Sequence, residues 1–311
     1  MQLVFDVMLL ALVLATGAWS ILARGMMTAV IVFIVYGLLL ALAWVRLGAI
    51  DVALTEAAIG SGVTGMLLIS AAARFARDPA ALRLPSLPSR ALAAVLATAV
   101  AIALGSLAML LPAEAPSLAA ETMRALPESG LGNPVAGVLF VFRAFDTMLE
   151  KVVLLLALLG VWSLAREEAW GGAPALKPLA QPQGVLPLLA RTLPPIGLTY
   201  GIYMTWAGAD VPGGAFQGGT VLAAMWILVV LAGLALFPKV SSPGLRWAVA
   251  AGPVVFLLIG FAGFLSPGLF LAYPQGYAKP LIVVMELALT LSIAVILGLL
   301  VAGPPAGREA R

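Results

Sequence analysis

The sequence predicts an all-α fold: a polytopic membrane helix bundle of about nine transmembrane helices, N-terminus outside and C-terminus cytoplasmic. Three observations predict it. Hydrophobic residues make up 63% of the chain and charged residues 10%, with a mean hydropathy of +1.11, where soluble domains run at about 45–50% and about 25%. Nine stretches approach the roughly 20 apolar residues needed to cross a hydrocarbon core. Lys and Arg are spread unequally between alternate loops, which sets orientation.

The first stretch, 3–22, opens with Gln2 and Asp6 rather than a basic segment and is followed by Arg24. It therefore reads as a retained span and not as a cleavable signal peptide. The others are 26–45, 51–73, 91–111, 135–164, 185–206, 216–237, 245–265 and 281–302. With the N-terminus outside, twelve of the 17 basic residues fall in inner segments: Arg24, Arg74, Arg77, Arg83, Arg90, Arg166, Lys177, Arg191, Lys239, Arg246, Arg308 and Arg311. Three fall outside (Arg46, Arg124, Lys279), and Arg143 and Lys151 lie within the fifth span. That asymmetry favours an odd number of spans.

Two polar segments punctuate the chain. The outer loop 112–134 is Pro-rich and acidic, with Glu114, Glu121 and Glu128. The inner segment 165–184 carries Arg166-Glu167-Glu168, Gly171-Gly172, Pro174, Pro178 and Pro182, and reads as a linker between two modules. No internal repeat and no pair of interrupted helices is evident, which argues against a stand-alone transporter.

The chain has no Cys and no His. Disulfides, thiolate clusters, the usual zinc sites, haem histidine ligands and Ser-His or Cys-His nucleophiles are therefore excluded, and neither enzyme activity nor a metal or cofactor is expected. The net charge of +3 follows from basic inner loops and needs no nucleic-acid partner. Function must rest on ionisable groups inside the membrane.

The fifth span is the richest in them: Phe142-Arg143-Ala144-Phe145-Asp146-Thr147-Met148-Leu149-Glu150-Lys151. On one continuous helix, Arg143, Asp146 and Glu150 share a narrow stripe, with Lys151 on its flank. Counted from Val135, Asp146 would lie roughly 16 Å deep, near the middle of the membrane. Each charge there costs about 2.5–3.5 kcal/mol against lipid, so ions paired and buried against protein are expected. They are either a static lock between helices or a station for protons or cations.

Span 3 opens with Asp51, expected as its N-cap. Glu56 lies about 7 Å deeper, with Gly60 and Thr64 one and two turns on. This slim face suits helix packing, and Glu56 is either a stored protonated acid or a relay. Span 7 is preceded by Asp210-Val211-Pro212-Gly213-Gly214-Ala215-Phe216-Gln217-Gly218-Gly219. Its free amides could hold an anion, but no GK[ST] follows. The other reading is a tight turn with glycine-mediated helix packing. Glu286, the one acid of span 9, followed by Thr290 a turn later, is a weaker candidate of the same kind as Glu56.

These residues carry a resemblance. Gly37 to Leu42 and then Leu47-Gly48-Ala49-Ile50-Asp51-Val52-Ala53-Leu54-Thr55-Glu56-Ala57 resembles the small module at the C-terminal end of MrpA-type antiporter subunits, which also occurs as the MbhD-type subunit of membrane-bound hydrogenases. Asn133-Pro134 with the run Phe142 to Glu150 resembles the adjoining MbhE-type module. The last 125 or so residues, with Pro212 to Gly219, resemble the MrpB-type subunit of Na⁺/H⁺ antiporters. Ala144, Ile50 and Ala215 depart from the usual residues, and Lys151 is an added charge.

The resemblance implies modules at 1–80 (MbhD-like, related to the J-type subunit of complex I), 81–165 (MbhE-like) and 185–311 (MrpB-like), joined by a cytoplasmic linker at 166–184. It also implies the inner membrane of a bacterial or archaeal cell. The implied partners are large antiporter-like subunits (MrpA/MrpD type), a small K-like subunit (MrpC type) and further small Mrp subunits, with membrane lipids around them. H⁺ and Na⁺ are the implied ions. The leading expectation is an ion-path-lining subunit of a multisubunit Mrp-type cation/proton antiporter. The alternatives are a membrane-arm subunit of a redox-driven complex, such as a membrane-bound hydrogenase or complex I-like assembly, and a purely structural scaffold.

Overall fold

A computed structural model describes residues 2–75, 86–112, 116–174, 176, 178–179, 184–266 and 268–306. Arg77, Arg83, Glu114, Lys177, Pro182, Arg308 and Arg311 lie outside the described residues. Among the described residues the chain is helical, with an isolated bridge between Pro174 and Pro305 and no strand.

The helices are α1 (Gln2–Leu22), α2 (Met26–Arg46), α3 (Ile50–Thr55), α4 (Thr64–Phe75), α5 (Leu87–Leu110), α6 (Ala119–Ser129), α7 (Pro134–Gly137), α8 (Ala144–Ser163), α9 (Val185–Ala207), α10 (Ala215–Leu231), α11 (Pro243–Ala262) and α12 (Ala278–Ala302). A π-helical segment, Glu56–Val63, joins α3 to α4, and a second, Val138–Phe142, follows α7. Six helices are long and apolar enough to cross a membrane: α1, α2, the composite 50–75, α5, α11 and α12. The remaining three predicted stretches are helices as well. α8 carries three charges, α9 contains Pro194 and Pro195, and α10 is 17 residues long.

α12 is the central post. It is apolar on all sides, and a helix of that kind belongs inside a bundle. Ile282, Met285, Leu289, Ile293, Ile296 and Leu299 are buried on it, with α8, α9, α10 and α11 around it. α1, α2 and the composite third helix pack together and join this group through α10. α5 has no buried residue among those described. α6 lies within the segment expected to be a loop, and the Leu126 side chain on it covers Gly137. Its charged, Pro-containing sequence gives little span signal, so the sequence reading missed it.

Contacts sort the loops into two ends. At one end Arg46 pairs with Asp6 at 2.7 Å and Lys279 with Asp210 at 2.6 Å, while the Gly132 and Asn133 amides donate to Ala209 O. At the other, Val240 and Ser241 donate to Gly172 and Gly171, and Ala306 to Ala173. Two of the three basic residues assigned outside are thus neutralised locally. Ser86 precedes α5 on the basic side of the count. A cysteine there, in a chain that has none, is expected to resist impermeant maleimide applied to intact cells. Labelling from outside would reverse the orientation.

Candidate functional site

The site begins with a broken helix. Asn133 caps α7, its Oδ1 accepting from the Val135 amide at 2.9 Å, and Pro134 occupies the first helical position where no amide donor is needed. The helix then widens into the π segment, closed by the Arg143 amide donating to Val138 O at 2.8 Å. At Arg143 it breaks (φ −133, ψ 37), and α8 starts afresh at Ala144. A carbonyl left free at membrane depth must find a donor. Thr147 Oγ1 donates to Leu139 O at 2.6 Å and Tyr273 Oη to Phe140 O at 2.8 Å. π segments of this kind concentrate at functional positions.

The break corrects two expectations. The stretch 135–164 is not one helix, so a depth counted from Val135 by helical rise does not hold. One interrupted helix is present, in the fifth predicted span; the third stays continuous through its π segment. The charged stripe is also differently placed. Arg143 precedes α8, 71% exposed, and pairs with Asp146 on the outer surface; Asp146 and Glu150 are each 48% exposed. Lys151, expected on the flank, is the group that turns inward, at 4%.

Lys151 enters a cavity of about 220 Å³ bounded by α3, the α7–α8 break, α8, the start of α10 and α12. Its Nζ lies 3.6 Å from the centre of the Phe216 ring and 3.6 Å from Glu150 Oε2. A desolvated cation over a ring face is stabilised by about 2 kcal/mol. Across the cavity stands Glu286 of α12, 2% exposed. Its Oε1 lies against Gly214 at the start of α10, and Glu286 Oε2 has no partner. Glu286, the weaker candidate in the sequence, is one of the two most enclosed ionisable groups here.

The Gly-rich turn forms the outer rim. Gly214 has φ +130, and a side chain there would meet Glu286 Oε1. The Gly213 amide donates to Asp51 Oδ1 at 3.0 Å, the Gly214 amide to Met204 O at 2.9 Å, and the Gly218 amide to Gly214 O. The amides that could have held an external anion therefore hold the chain's own carboxylates and carbonyls. Asp51 is not an N-cap: Ala49 occupies that position, without a side-chain bond. Asp51 instead ties three segments together, since Asn133 Nδ2 also approaches it at 3.4 Å while bonding Gly208 O and Val211 O. Gln217 Nε2 reaches Thr55 Oγ1 at 3.1 Å. Pro212 starts the turn, and Gly218 and Gly219 bring α10 against α9 and α12.

Glu56 stands apart. It opens the first π segment, half-buried, with its carboxylate against Gly37 of α2 and Gly60, close to Ser61, whose hydroxyl is buried and unpartnered. Thr64 belongs to α4, beyond the π turn. The residues that sequence reasoning missed are Asn133 as a tie, Thr147, Tyr273 and Phe216. Only Asn133 carried a local signal, an Asn-Pro pair at a helix start.

Residues 11–77 match the MbhD family, the D-type subunit of MBH, and residues 185–304 a domain related to the MnhB subunit of Na⁺/H⁺ antiporter. An uncharacterized protein of Methanocaldococcus jannaschii is 30% identical over 154 residues, covering 45% of this chain and 59% of the relative. The chain thus matches somewhat over half of that relative's length. Among solved structures, the Mrp complex from Dietzia sp. DQ12-45-1b contains a chain similar over 96% of this one and 34% of its own length, with TM-score 0.76 and 24% identity. The membrane-bound sulfane sulfur reductase, an archaeal respiratory membrane complex, contains one similar over 69% of this chain and 97% of its own, with TM-score 0.55 and 20% identity. The chain is a multi-pass membrane protein by its apolar helices, with an MbhD-like segment and a segment similar to the domain related to MnhB, and its fold resembles that of the Mrp complex chain.

Proposed function

We propose that this chain lines an intramembrane ion path in a multisubunit Mrp-type monovalent cation/proton antiporter of a bacterial or archaeal cell membrane. The observation that carries the reading is the buried Lys151 and Glu286 facing one cavity beside the broken α7–α8 helix. Ionisable groups enclosed at membrane depth mark ion and proton routes. Glu150 and Asp51 connect that cavity to the α8 surface and to the outer rim. The Arg143–Asp146 pair lies on a face that a partner subunit would cover, because an exposed charge pair on a membrane helix is costly against lipid, while Glu56 sits half-buried between α2 and the first π segment. The partners are the large MrpA/MrpD-type and small MrpC-type subunits, with H⁺ and Na⁺ as the exchanged ions. The segment 81–165 is assigned as an MbhE-like module and 166–184 as a cytoplasmic linker.

The expected result is co-purification with antiporter-like subunits in mild detergent. Liposomes containing the complex should exchange sodium for protons, and a complex carrying both Lys151→Met and Glu286→Gln should assemble yet exchange at least about tenfold more slowly, since neither new side chain takes up and releases a proton. Full exchange by that variant overturns the reading. The sulfane sulfur reductase likeness favours a second reading, a membrane-arm subunit of a redox-driven complex. Co-purification with redox-cofactor subunits would select it.

A further inference from the structure

We infer that the cavity between α3, α8, α10 and α12 is a proton station that carries its own tethered cation and therefore excludes sodium. The inference rests on the ion-path reading above and narrows it to one ion. The charged groups facing the cavity are Asp51 from α3, Glu150 and Lys151 from α8 and Glu286 from α12; α10 contributes the neutral Phe216 and Gln217.

Hard cations are held by several oxygens converging on one point. Here several of the side-chain oxygens are already engaged. Asp51 Oδ1 accepts from Gly213 and Asn133, Thr55 Oγ1 donates to Asp51 O while accepting from Gln217, and Thr147 Oγ1 donates to Leu139 O. Glu286 Oε2 is the buried oxygen left without a partner. The cavity already holds a cation of the chain's own, the Lys151 ammonium, packed on the Phe216 ring and beside Glu150. A second cation would face that like charge in a medium that screens poorly.

A proton meets no such obstacle. One N–H bond of Lys151 breaks and one O–H bond of Glu286 forms, converting ammonium and carboxylate into amine and acid. The pair carries no net charge before or after, so the transfer moves no uncompensated ion within the bundle. Lysine is the basic residue that gives up a proton when buried; arginine is not. At about 30 Å³ per water, the cavity has room for a short water chain between the two side chains.

The test uses the whole complex and two readouts: sodium-driven proton flux in liposomes, and equilibrium binding of radiolabelled sodium in detergent. Glu286→Gln is expected to lower proton flux at least about tenfold and to leave the sodium dissociation constant within about twofold, because an amide cannot carry a proton. If Glu286→Gln does not assemble, Lys151→Met with Glu286→Gln removes both charges and is read in the same way. Sodium binding weakened about tenfold or more together with flux makes the cavity a sodium site; the inference is then overturned while the ion path stands. Undiminished flux removes the ion path itself, and the inference with it.

Discussion

Lys151→Met is expected to be among the most destabilising single substitutions in this chain. Lys151 is 4% exposed and Glu286 2%, so removing the ammonium leaves a carboxylate enclosed by helices with no cation facing it. Breaking one side of a buried charge pair costs about 3–5 kcal/mol. Methionine keeps the aliphatic length, so little of the effect should come from a void. The loss over Phe216 adds to it, by about 2 kcal/mol for a desolvated cation. The measurement is the thermal midpoint and yield of the purified complex. Adding Glu286→Gln should recover most of the loss, because the unpaired charge goes with it, and a double-mutant cycle isolates that coupling. Equal midpoints for the parent and Lys151→Met would mean that the two groups do not support each other.

Why the sequence and the structure differ on which charged group of the fifth span turns inward is a question of phase. Composition alone reveals spans, because the membrane requires about 20 apolar residues whatever the tertiary structure. The run from Arg143 to Lys151 was legible for the same reason, as charges do not belong there without cause. A helical wheel, however, holds only while the helix is continuous. The break at Arg143 depends on Thr147, one turn on, and on Tyr273 from a different segment, each satisfying a freed carbonyl. No local pattern announces them. Once the phase is reset at Ala144, Asp146 and Glu150 turn outward and Lys151 inward.

Glu286 illustrates the same limit from the other side. A lone acid in an apolar span is visible, but its surroundings come from Lys151 and the Gly214 turn, both on other segments. Asp51 looked like a cap because acids often begin helices; its actual partners, Gly213 and Asn133, come from two distant turns. The Gly-rich turn was legible as a turn. That its amides face the chain's own carboxylates was not, because amide direction is set by how α9 and α10 meet.

Gly218→Val is expected to dismantle that meeting. A Cβ at Gly218 would fall 2.5 Å from the Gly201 carbonyl oxygen of α9 and closer still to Thr205 Oγ1. The nearest obstacle besides Thr205 is backbone, which cannot rotate aside, so α9 and α10 must part. α10 has nowhere to go on its other face, where a Cβ at Gly219 would already meet Ile293 and the Thr290 carbonyl of α12. Overpacking a tight core costs about 1–3 kcal/mol where neighbours can adjust, and here the upper end or beyond is expected. The same displacement would carry Gly213 away from Asp51, Gly214 from Glu286 and Phe216 from Lys151, so ion exchange should fall with stability. Gly105→Ala on α5 is the control. Nothing lies within 4 Å of a Cβ there, and alanine within a helix is favoured over glycine by roughly 0.5–1 kcal/mol. The thermal midpoint and yield of the complex should drop sharply for Gly218→Val and stay level or rise for Gly105→Ala. Equal behaviour of the two variants would show that the glycine seam does not hold α10, and with it the rim of the cavity, in place.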